Sequence, residues 1–103
     1  MTITLEEIRK KQKWISKLCK RNGTTGRLEL NVLTGEFSAT EYISSSEYSP
    51  LPENCIAIPS SPNMDDIDYA IGASSKSEYL NLLNESLERR TLKILKKNGI
   101  EVI

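Results

Sequence analysis

Two segments of this chain, one near each end, carry their own start and stop signals for a helix. Everything between them is cut by glycine, proline and polar clusters into pieces that suit only strands, turns and one short helix. Thr4-Leu5-Glu6-Glu7 reads as a capping box, in which the threonine hydroxyl takes a first-turn amide and the glutamate reaches back. A helix follows from Leu5 to Arg21, and Asn22-Gly23 ends it, because glycine accepts the left-handed conformation of a helix exit. Ser75-Lys76-Ser77-Glu78 repeats the box, and the helix it opens runs to Asn98, with Gly99 as its exit. A chain bounded in this way must lay two long helices against whatever small sheet its middle can build.

At about 100° per residue, Leu5, Ile8, Ile15 and Cys19 fall on one stripe of the first helix, with Leu18 at the margin. Lys10, Lys13, Lys17, Lys20 and Arg21 fall opposite, and Trp14 lies on the border. In the second long helix the stripe is Leu80, Leu83, Leu87 and Ile94, while Leu82 and Leu92 project to another side. Its glutamates, Glu78, Glu85 and Glu88, come before Arg89, Arg90, Lys93, Lys96 and Lys97, so charge follows the helix dipole.

In the middle, Arg27 to Asn31 alternates polar and apolar, the period of a strand. Asn31-Val32-Leu33-Thr34-Gly35 is a hairpin loop: Asn31 can accept from amides two and three residues on, and Gly35 supplies positive φ. Glu36 to Ile43 returns as the second strand, with Phe37 and Ala39 on one face. Ser44 to Pro52 is a polar loop kept extended by its prolines. Asn54 to Ile58 is a third strand ended by Pro59, and Ser60-Ser61-Pro62 is a second loop. Asn63 to Ile71 reads as a short helix with Asn63 as cap, Asp65 and Asp66 in the first turn, and Met64, Ile67 and Ile71 buried; Gly72 ends it. Ile100 to Ile103 is a last strand returning to the sheet. The fold class is therefore α+β: a small, mostly antiparallel sheet of three or four strands, with two long helices on one face and one short helix. At 103 residues this is one domain, residues 1–103, and with 38% apolar residues few core positions can be spared.

The chain has no histidine, which excludes Ser-His-Asp and Cys-His catalysis as usually built, and histidine zinc ligands. Two cysteines, Cys19 and Cys55, cannot make a four-thiolate site and suit a reducing compartment as free thiols. No stretch approaches the roughly 18–20 apolar residues of a membrane helix, and no apolar run follows the first positive charges, so the expectation is a cytosolic protein. Neither a cofactor nor a metal is expected, and the chain is not expected to be an enzyme.

Charge is the remaining signal. The formal net charge is zero, yet residues 1–27 hold eight basic side chains against two acids, residues 28–85 hold ten carboxylates against Lys76, and residues 86–103 hold five basic side chains against two acids. Such sorting can make a basic patch that an acidic partner feels, or it can be cancelled inside the fold. Five features are candidate sites. Lys10, Lys13, Lys17 and Arg21, flanked by Trp14, form either a binding row or a solvated face with Trp14 buried at the core margin. Arg89, Arg90, Lys93 and Lys96 extend that row if the first helix and the end of the second long helix lie side by side; otherwise each row meets acidic groups of the middle segment or only water. Asp65, Asp66 and Asp68 could hold a hard cation, but they lack the calcium-loop spacing and suit a helix N-terminus instead. Leu82 and Leu92, with Tyr79, mark either a central helix or an interface, a homodimer included. The loop from Ser44 to Ser61 is either a contact segment, with Tyr48, Glu47 and Glu53, or a plain connection. The expected function is a small non-catalytic regulator or inhibitor acting by protein–protein contact; the alternative is a nucleic-acid-binding module using the basic helix faces.

Overall fold

The computed structural model describes residues 1–43 and 49–103. Along the described chain the elements are β1 (Thr2–Ile3), α1 (Leu5–Asn22), β2 (Thr25–Asn31), β3 (Phe37–Tyr42), β4 (Cys55–Ile58), α2 (Met64–Ala70), α3 (Lys76–Lys97) and β5 (Glu101–Val102). β2 is the centre of a three-stranded antiparallel sheet in the order β3-β2-β4. The class is α+β, as the element order in the sequence requires. The register sets the core: Leu28 stands between Ala39 and Ile58, and Leu30 between Phe37 and Ile56. Ile8 and Ile15 of α1 and Leu95 of α3 close over that face.

The local devices are those written in the chain. Thr4 Oγ1 accepts from the Glu7 amide at 3.1 Å, although among the described residues the Glu7 carboxylate makes no bond back to the cap, and Gly23 leaves α1 at φ 64°. Asn31 Oδ1 accepts from the Leu33 and Thr34 amides at 2.9 and 3.1 Å, and Gly35 has φ 79°. Asn63 and Asp66 form a full capping box for α2. Ser75 caps α3 through the Glu78 amide, but the Glu78 carboxylate turns to Ser74 rather than back to the cap.

Four expectations are corrected. The last strand does not join the main sheet; β5 pairs in parallel with β1, Ile3 opposite Val102, and that first strand had no periodic signal because it is two residues long. The buried side of α2 is not Met64 and Ile71, which are 68% and 75% exposed, but Asp66 and Ala70. The buried line of α3 is Leu87, Thr91 and Leu95, not the stripe from Leu80, which is 48% exposed. Thr91 can lie in the core because its hydroxyl donates to the Leu87 carbonyl at 2.8 Å. Gly72 has no left-handed exit to supply, since α2 stops at Ala70 with Ile71 still right-handed.

The polar side of β2 is also buried. Arg27 donates to Glu29 from Nε and NH2, at 3.1 and 2.9 Å, and to the Ser49 carbonyl at 2.7 Å. Thr40 donates to the other Glu29 oxygen at 2.9 Å. The segment at Ser49 and Pro50 thus covers the back of the sheet, held there by a charge. No helix among the described residues is long and apolar enough to cross a membrane.

Candidate functional site

The end of α3 returns to the start of α1, because β5 pairs with β1 and the Leu5 amide donates to the Ile103 carbonyl at 2.8 Å. Arg9 meets Glu88, its Nε at 3.0 Å from Oε1, and Gln12 donates to Thr91 Oγ1 at 3.1 Å and to the Pro59 carbonyl at 2.6 Å. The arginines of α3 are not free to extend the basic row of α1. Arg89 lies over the Tyr69 ring at 5.1 Å and bonds Glu85 at 3.0 Å. Arg90 bonds Asp66 at 2.8 Å and the Ser61 carbonyl at 3.2 Å. Both serve the packing of α2 on α3. Lys93 is exposed on α3 and has no ion pair among the described residues.

Asp66 is likewise a structural group. Burial pushes its carboxyl up, but Arg90, Ser86 and the Asn63 amide outweigh that and hold it below the usual range. Asp65 and Asp68 stay exposed. Among the described residues no group of three or more acids or thiols is placed to hold a metal ion.

The first candidate row is the one left open. Lys10, Lys13, Trp14, Lys17 and Arg21 are all exposed along α1. Lys10 lies 3.5 Å from Glu6, an exposed pair of little weight. Among the described residues Lys13, Lys17, Lys20 and Arg21 have no ion pair. Trp14 is 44% exposed, not buried at the core margin, and Lys11 lies 5.4 Å from the centre of its ring. Leu82, Leu92 and Tyr79 are half-buried. Glu53 is exposed, whereas Glu47 and Tyr48 lie outside the described residues.

One feature escapes a reading of the sequence. Arg9, Gln12, Lys13 and Ser16 follow one another at helical spacing on α1, and Asn81, Asn84, Glu85 and Glu88 do so on α3. The two rows line a cleft of about 530 Å³, floored by the Ser60-Ser61-Pro62 loop. The paired spacing is visible in the chain, but only the tertiary placement of the helices brings the two rows to one cleft. No family model, curated protein or solved structure matches the chain.

Proposed function

We propose that this is a small, non-catalytic, cytosolic binding protein, a regulator or inhibitor that works by protein–protein contact through the outer face of α1. Trp14 carries the reading. An exposed indole set among cations, of which Lys13, Lys17 and Arg21 have no ion pair among the described residues, is the composition of an interface hot spot, where tryptophan and arginine dominate binding energy. The partner this face suits offers an apolar seat for the indole with carboxylates around it. Such complementarity speeds encounter and excludes wrong partners. The chemistry of the chain supports the non-catalytic part, since any acid–base step would fall to carboxylates, lysine or tyrosine. A second reading shares the same observation: cations every three or four residues can track phosphates while the indole stacks on a base. A formal net charge of zero favours the first.

The test is capture from a lysate of the source organism, comparing wild type with Lys17→Glu/Arg21→Glu and with Trp14→Ala. Lys13 is left intact because it also borders the cleft. The reading expects one protein held through a high-salt wash by wild type and lost from both variants. Nucleic acid that leaves as salt rises from roughly 50 to 200 mM would establish the second reading. Equal retention by all three proteins would overturn both, and loss only on Leu82→Asp or Leu92→Asp would move the surface to α3.

A further inference from the structure

Two helices that turn stripes toward each other ordinarily do so with apolar side chains, which interlock and close the gap. Here the facing stripes of α1 and α3 are polar, and the gap stays open as a cleft of about 530 Å³. That size lies within the range of small-molecule sites, roughly 300–1,000 Å³. The charges at its rim are mostly matched. Arg9 is paired with Glu88, and Glu85 is paired with Arg89 and accepts from the Tyr69 hydroxyl at 3.1 Å. What remains is one ammonium, two carboxamides and three hydroxyls. Among the described residues, the side chains of Lys13, Ser16, Ser60, Ser61, Asn81 and Asn84 make no hydrogen bond or ion pair within the chain. Pro62 and Leu87 supply small apolar surfaces between them.

We propose that the α1–α3 cleft is a binding site for a small polyhydroxy monoanion of the sugar-acid class. Lys13 takes the carboxylate, a charge-assisted contact. Asn81 and Asn84, one helical turn apart on α3, each offer a donor and an acceptor to neighbouring hydroxyls, and the serine hydroxyls can do either. The uncharged majority of the lining selects for hydroxyls, and the single unmatched cation selects for one negative charge. A dianion would leave its second charge facing Glu85 and Glu88. This site shares only Lys13 with the outer face of α1, and Asn81 and Asn84 belong to the cleft alone, so either reading can fail without the other.

The experiment is an NMR titration of the isotope-labelled full chain with glucuronate and gluconate, with glucose and acetate as controls. Glucuronate or gluconate should shift the Asn81 and Asn84 side-chain amides and the Ser60 and Ser61 backbone amides, with saturation in the millimolar range. Acetate and glucose should each bind far more weakly. Lys13→Met should weaken binding by about tenfold, the usual loss for a hydrogen bond to a charged group, and Asn84→Leu should abolish it. Lys76→Met, at the start of α3 and outside the cleft, should leave it unchanged. The variants concern exposed helix positions, so their spectra elsewhere should match wild type and report intact folding. The proposal is overturned if neither sugar acid shifts these resonances at about 10 mM, or if acetate matches them. It is also overturned if the shifts fall on Lys10, Lys17 and Arg21 instead.

Discussion

Replacing Arg27 with methionine should remove a disproportionate share of this protein's stability. Glu29 is 1% exposed, and its carboxylate has three donors: Arg27 Nε, Arg27 NH2 and the Thr40 hydroxyl. The substitution takes two of them and the only positive charge paired with it, while a methionine fills much of the space. Removing one partner of a buried ion pair costs about 3–5 kcal/mol, because the other charge is left in a poor solvent. Arg27 also donates to the Ser49 carbonyl, worth about 1 kcal/mol net. The sum is roughly 4–6 kcal/mol, against a total of about 5–15 kcal/mol for a domain of this kind. Urea unfolding followed by far-ultraviolet circular dichroism should show the midpoint falling by roughly 2–4 M. The double variant Arg27→Met/Glu29→Met removes the stranded charge as well and should recover at least half of the loss. An Arg27→Met variant within about 1 kcal/mol of wild type, or a double variant as unstable as the single one, would refute the reasoning.

Other consequences follow from the same packing. Gly26→Ala would set a methyl group onto Cys19 Sγ and within 3.0 Å of the Ile15 side chain, so unfolding should show a loss of about 1–3 kcal/mol, partly restored by Cys19→Ala in the same chain. Asp66, Glu41 and Glu78 are all held below the usual carboxylate range, so the folded chain binds protons less readily than the unfolded one. Their contribution is complete above about pH 5 and is lost as pH falls through the lower folded values; Asp66→Asn should shrink that acid-side slope in unfolding curves taken between pH 2 and 6. Asn31→Ala removes the acceptor for two loop amides and should cost about 1 kcal/mol by urea unfolding, with the β2–β3 amides exchanging faster.

What the sequence announced was local, and what it hid was mutual. The hairpin was legible because Asn31 and Gly35 act within five residues of each other, and the helix ends because Thr4, Gly23, Ser75 and Gly99 act within a turn. Periodicity counts apolar residues, so it passed over Asp66 and Thr91, which are buried because each finds hydrogen-bond partners on site. The alternation in β2 separated Arg27 and Glu29 from Leu28 and Leu30, but nothing local says that the polar side is covered too. That cover comes from Ser49 and Pro50, more than twenty residues on. The pairing of β1 with β5 joins the two ends of the chain through strands too short to carry a pattern. The basic face of α1 was readable in full, residue by residue. That Lys13, Lys17 and Arg21 have no ion pair among the described residues was not, because that depends on where the other elements lie.

The central claim is that the outer face of α1 is where this protein meets its partner, and Trp14 allows that to be measured without a label because it is the only tryptophan in the chain. With the captured partner in hand, or a tryptophan-free form of it, the indole emission is followed through a titration at physiological salt. The account predicts a saturable blue shift as the half-exposed ring is covered, absent when Lys17→Glu/Arg21→Glu is titrated in the same way. Binding that saturates by an independent measure while the Trp14 emission stays that of the free protein would contradict it.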